Sequence, residues 1–205
     1  MPRRGDRDII EYVSLGESCN GAGRINTYAL VFYASGPLAQ FLDDLRAELE
    51  PDHPAPRAHV TVLPPRPLPM GPDAALAQLQ QRVAEFSPFR TILGGIHSFD
   101  GTNVVYLSVA HGFNQLHRMH QRLNHDALLY NEPFAYHPHI TLAQGLTAER
   151  MPEVLDLARR RWDAYKGPRY FHCNEWYFVQ ATSEARWVDL AGIPLPLIEQ
   201  ADLAG

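Results

Sequence analysis

The sequence predicts an α+β fold: a bilobal, duplicated chain of two antiparallel sheets with helices packed outside and one H-x-T motif per lobe. Three observations lead there. Segments of strand character alternate with segments of helical spacing from residue 25 to about 190. The order of segments repeats, with a helix followed by a short strand in each half. Finally, the tetrapeptides "HVTV" at 59–62 and "HITL" at 139–142 stand 80 residues apart at the same place in that order. Two lobes related by a pseudo-twofold axis follow.

Each element has its own pattern. "INTYALVFYA" (25–34) is rich in β-branched and aromatic residues and reads as a buried strand. In "LAQFLDDLRAELE", Leu38, Phe41, Leu42, Leu45 and Leu49 fall on one helical stripe that ends before Pro51. "AHVTVL" (58–63) is a short strand ended by the run "PPRPLP". A helix over 73–86 places Leu76, Leu79 and Val83 on one face, and "FRTILGGIHSF" and "NVVYLSVA" follow as strands joined by a tight turn at Asp100-Gly101. Helical spacing returns over 113–129 through Phe113, Leu116, His120, Leu123 and Ala127. "YHPHITLAQ" (136–144) is the next strand, a helix spans about 147–164, and "RYFHCNEWYFVQAT" and "ARWVDL" close the fold as strands. Residues 1–24 read as an N-terminal arm or loop, and 25–205 as one bilobal domain.

Composition narrows the function classes. With 45% hydrophobic and 20% charged residues and a net charge of −5, the chain lacks the dense cationic field of a protein that coats long nucleic acid. A small phosphorylated ligand or a nucleic-acid end needs only a local site. Cys19 and Cys173 are too few for a disulfide scaffold and have no zinc-ribbon spacing. No segment approaches the roughly 18 apolar residues of a membrane span. The expectation is a cytoplasmic monomer that folds without metal or disulfide staples, contacts neither membrane nor long duplex, and leaves a local site open to a small nucleotide or an RNA end.

The H-x-T pair carries the chemistry. Along a strand, residues i and i+2 share a face, so His59 points with Thr61 and His139 with Thr141, while Val60, Val62, Ile140 and Leu142 point to the core. Ten histidines and seven threonines would produce H-x-T about 0.3 times by chance, and about 0.07 times with apolar residues at both interleaved positions. Two copies at matching places are therefore not accidental. Opening a cyclic phosphodiester requires a base for the attacking hydroxyl or water and an acid for the departing ribose oxygen. Histidine serves as either near neutral pH. Thr61 and Thr141 supply hydroxyl donors for the phosphate oxygens.

These residues resemble the paired motifs of the 2H phosphoesterase superfamily, and "PHITLAQ" is similar in particular to its 2′-5′ RNA ligase-like and cyclic phosphodiesterase branch. The resemblance covers about residues 25 to 190. It implies a bilobal fold with a central cleft and metal-independent chemistry on 2′,3′-cyclic phosphates or 2′-5′ phosphodiesters, reversible as RNA ligation. On this resemblance His59 and His139 are catalytic and Thr61 and Thr141 bind the substrate phosphate. Which histidine is acid and which is base stays open.

Other readings compete at several positions. His137 and His139 form H-x-H, as in a metal pair or a histidine triad, but a triad needs a third histidine where Thr141 stands. Pro138 instead places His137 in the loop entering the strand, where it and Tyr136 are candidate substrate contacts lining the cleft. His111, His117, His120 and His125 crowd one helix without the carboxylate of a zinc motif, so a polar helix face is expected rather than a metallohydrolase site. Arg66, in a proline-rich loop that also resembles a PPII ligand, is a candidate contact to a substrate phosphate. "EWYFV" (175–179) supplies core from alternate positions, with Trp176, Tyr177 or Phe178 at the cleft wall. A protein of the same fold that binds nucleotide or RNA without turnover is the remaining alternative.

Overall fold

The structure is a computed structural model and describes residues 23–52, 56–99, 101–184 and 186–197. In chain order the elements are β1 (Arg24–Tyr33), α1 (Gly36–Leu49), β2 (His59–Arg66), α2 (Gly71–Arg82), β3 (Phe89–Ser98), β4 (Val105–His111), α3 (Phe113–Leu123), β5 (His139–Ala143), α4 (Met151–Ala164), β6 (Tyr170–Cys173), β7 (Glu175–Thr182) and β8 (Trp187–Pro194). Short 3₁₀ turns follow α2 at Val83–Glu85 and α3 at Asp126–Leu128. The strands form two four-stranded antiparallel sheets, ordered β2-β1-β7-β8 and β5-β4-β3-β6. Each motif strand is therefore the edge of its sheet.

The two motif strands pair with their neighbours in matching registers. Across the β1–β2 ladder, Tyr33 faces His59 and Val31 faces Thr61. Across β4–β5, Ser108 faces His139 and Tyr106 faces Thr141. The core-facing residues of both motif strands, Val60, Val62, Ile140 and Leu142, are essentially inaccessible and belong to one continuous apolar cluster with Leu42, Leu116 and Trp162. The helices explain why there is one core. α1 joins β1 to β2 of the first sheet yet packs on β5 of the second, while α3 joins β4 to β5 and packs on β2. Each lobe's helix leans on the other lobe's motif strand.

Several boundaries differ from the sequence reading, each for a physical reason. β2 does not stop at Pro64 but runs through Pro64 and Pro65 to Arg66, because an edge strand has an outer side where a missing N–H breaks no ladder. β8 likewise reaches Pro194 at the opposite edge. The helix expected over 113–129 ends at Leu123, where the Asn124 side chain bonds both the N–H and the carbonyl of Tyr130 and shapes a loop instead. β5 begins only at His139, so His137 precedes the strand. β1 takes in Arg24; residues 1–22 of the expected N-terminal arm, with Cys19, lie outside the described residues, as does Asp100 of the expected turn, where Gly101 has φ +70°.

Candidate active site

The two motifs meet because the edges β2 and β5 are in contact. His59 and His139 are close enough that a charge on His139 further lowers the pKa of His59. Both histidines and both threonines are half-buried. The side chains of His59 and Thr61 share one face of β2, and those of His139 and Thr141 share one face of β5.

One backbone device serves both imidazoles. His59 Nδ1 lies 2.6 Å from the carbonyl oxygen of Arg57, and His139 Nδ1 lies 2.6 Å from that of His137. A carbonyl only accepts, so each Nδ1 carries a proton and donates it. In the neutral ring the lone pair is then on Nε2. Both rings are thus set in the same tautomer by the residue two positions upstream. Sequence reading did not find this, because a main-chain carbonyl has no residue signature. The intervening residue shows two solutions to one problem: Ala58 N–H is taken by the Asp43 carboxylate at 2.7 Å, whereas Pro138 has no N–H to satisfy.

The walls differ. Beside His59 stand Trp187, tilted at 4.7 Å between ring centroids, and Tyr33, edge-on at 6.3 Å. The Arg57 guanidinium lies 3.7 Å above the Tyr33 ring, and Asp189 accepts from both Arg57 (2.5 Å) and the Tyr33 hydroxyl (2.6 Å). Beside His139 stand Phe99 and Tyr106, themselves stacked at 4.0 Å, both meeting the imidazole edge-on or nearly so. Trp187, Phe99 and Tyr106 were not singled out from the sequence; only their alternation within strand-like stretches hinted at a face. Of the "EWYFV" aromatics, Trp176 and Phe178 are core, and Tyr177 is the half-buried one, packed on Tyr33 at 4.8 Å.

Electrostatics follow from these walls. Burial pushes His59 down to about 4, assisted by the charges of Arg46, His139 and Arg57 and opposed by the bond to the Arg57 carbonyl. His139 is also lowered, chiefly by burial, with the His137 carbonyl bond opposing and the His137 charge adding to the effect. Its displacement is the smaller of the two. Both rings favour the neutral, proton-accepting form.

The remaining sequence candidates are placed as follows. His137 is exposed, 6.3 Å from His139 between centroids and edge-on to Phe99. Tyr136 is half-buried: its ring stacks on His120, and its hydroxyl donates to the Thr61 carbonyl at 2.7 Å. Arg66, expected near a substrate phosphate, is only 1% exposed. Its guanidinium donates to Asn124 Oδ1 (2.7 Å), to the carbonyls of Leu128 and Pro64 (both 2.9 Å) and to Glu132. Arg66 therefore clamps the loop after α3 to the end of β2 and pairs with the half-buried Glu132. On α3, His120 Nε2 is hydrogen-bonded to Glu132 at 2.8 Å and His117 packs on Phe113. Among the described residues no three His, Cys, Asp or Glu side chains are grouped to hold a metal ion, and no helix is long and apolar enough to cross a membrane.

Comparison with known proteins agrees with this architecture. A family model described as the 2′-5′ RNA ligase superfamily matches residues 34–184. No curated protein matches. Among solved structures, apo LigT of E. coli superposes with a TM-score of 0.55 at 15% identity, covering 84% of this chain and 98% of LigT. LigT complexed with 3′-AMP gives 0.55 at 16% identity over 84% and 98% of the two chains. Kluyveromyces marxianus Usb1 with uridine monophosphate gives 0.53 at 14% identity over 84% and 99%. At such identities the likeness concerns the fold.

Proposed function

This chain belongs to the 2′-5′ RNA ligase superfamily, and from that premise we propose that it is a metal-independent phosphoesterase. Its substrates would be 2′,3′-cyclic phosphates or 2′-5′ phosphodiester linkages in nucleotides or at RNA ends. The observation that carries this reading is the matched pair of Nδ1-to-carbonyl bonds, which leaves Nε2 of both His59 and His139 to exchange protons with a ligand. The nucleoside monophosphates bound to LigT and Usb1 support the ligand class.

In hydrolysis, the neutral His59 Nε2 takes a proton from water, whose oxygen attacks phosphorus. The protonated His139 Nε2 donates to the ribose oxygen as its bond to phosphorus breaks. The assignment follows from the deeper depression of His59, which makes it the ring found neutral. Thr61 and Thr141 hold the non-bridging oxygens as charge accumulates on them. With the roles exchanged, the same groups run ligation. His137 contacts the nucleoside, a role supported by its exposure beside His139.

A panel of 2′,3′-cyclic nucleotides, RNA 2′,3′-cyclic ends, 2′-5′ dinucleotides and ADP-ribose cyclic phosphate, assayed with and without EDTA, tests the reading. Turnover that survives EDTA and disappears in both His59→Ala and His139→Ala is expected. Turnover that EDTA abolishes and zinc restores would indicate a metallohydrolase, and binding without turnover a nucleotide-binding protein.

A further inference from the structure

We infer that Tyr136 is a positioning residue that, anchored by His120 and Glu132, sets the spacing between the two motif strands. Tyr136 lies three residues before His139 on the segment leading into β5, yet its hydroxyl donates at 2.7 Å to the main chain of the other motif, at the Thr61 carbonyl. β2 is an edge strand, so its outer backbone groups have no ladder partner and are free to accept such a strut. The Tyr136 ring is held flat on His120, at 4.0 Å between centroids and 4° between planes. His120 Nε2 is in turn 2.8 Å from Glu132 Oε1, the oxygen that also accepts from Arg66.

Arg66 belongs to β2 as well. The chain of contacts therefore leaves β2 at Thr61, passes through Tyr136, His120 and Glu132 of the other lobe, and returns to β2 at Arg66. Two attachments five residues apart fix the orientation of β2 against β5 as well as its distance. Among the described residues the first motif has no equivalent. The position matching Tyr136 is Pro56, whose carbonyl instead accepts from Arg46 of α1. One strut thus governs the gap between His59 with Thr61 and His139 with Thr141. A misplacement of about 1 Å in such a constellation is enough to cost about 100-fold in rate.

The kinetic side of this inference rests on the phosphoesterase reading; the spectroscopic side does not. Tyr136→Phe keeps the stacked ring and removes only the hydroxyl. On a 2′,3′-cyclic nucleotide it is expected to lower kcat about 10- to 100-fold with KM within about twofold of wild type and the thermal midpoint unchanged. Without any ligand, NMR titration of the imidazole rings is expected to show the His59 midpoint moving up, because a wider gap weakens the repulsion from His139. An unchanged kcat, or a kcat that falls only as the folded fraction falls, overturns the inference. If the wild type turns over no substrate, the phosphoesterase reading fails alone, and an unmoved His59 midpoint in Tyr136→Phe then overturns the positioning role.

Discussion

The two motif strands hold their histidines identically and surround them differently. In each lobe an edge strand presents His and Thr on one face, and the carbonyl two residues upstream takes the Nδ1 proton at 2.6 Å. Around His59 the walls are Trp187, Tyr33 and the Arg57–Asp189 pair. Around His139 they are Phe99, Tyr106 and His137. What is duplicated is the tautomer, which proton transfer requires of both rings. What has diverged is the field around each ring, which decides which of them is neutral at a given pH. On the proposed mechanism, the two halves take distinct acid and base roles because their neighbours differ while their reacting groups are the same.

The largest expected effect comes from removing either half. His59→Ala and His139→Ala should each lower kcat/KM about 10²- to 10⁴-fold, and the double variant should be little worse than either single one, because acid and base act in one step. A near-wild-type rate in one variant would reduce the pair to a single working lobe. Thr61→Val and Thr141→Val should cost about 10²-fold each, the loss of one phosphate-oxygen donor. Equal losses would mark both hydroxyls as partners of the same developing charge.

How much of this was legible in the sequence depended on where each interaction lies along the chain. The alternation that sends Val60 and Ile140 inward and His59 and His139 outward spans only a few residues, so the motif strands and the duplicated order were readable. The burial of Arg66 was not readable because its partner Glu132 lies 66 residues away, and nothing beside Arg66 in the sequence announces it. The path of β2 through Pro64 and Pro65 depends on its being a sheet edge, a property of topology. Trp187 of β8 meets His59 of β2 only through the β2-β1-β7-β8 order of the first sheet, which no spacing encodes.

The difference in field between the lobes should be readable in pH profiles. With His59 as base, the acid limb of kcat/KM should lie near pH 4, and with His139 as acid the alkaline limb should lie below about 6.5, so hydrolysis peaks on the acid side of neutrality. Arg57→Gln keeps the carbonyl that orients His59 and removes a cation that disfavours its protonation. It also frees the Asp189 carboxylate, which acts in the same direction. The acid limb should move to higher pH while the alkaline limb stays in place; movement of both limbs together would mean that the lobes do not titrate separately.

The smallest effect concerns folding. Both rings bind protons less readily in the folded chain than the ordinary value of 6.5 allows, so between that value and the folded midpoint the unfolded chain binds more protons. The stability present above about pH 6.5 is therefore lost as pH falls, and for His59 the loss continues down to about pH 4. Replacing His59 by Phe, a flat ring that does not titrate, should flatten the dependence of the urea midpoint on pH across this window. His139→Phe should flatten it less, because its ring is less displaced. Carboxylates protonate over the same range in every variant and cancel in the difference. Equal flattening would place the two histidines in equivalent fields and remove the basis for giving them different roles.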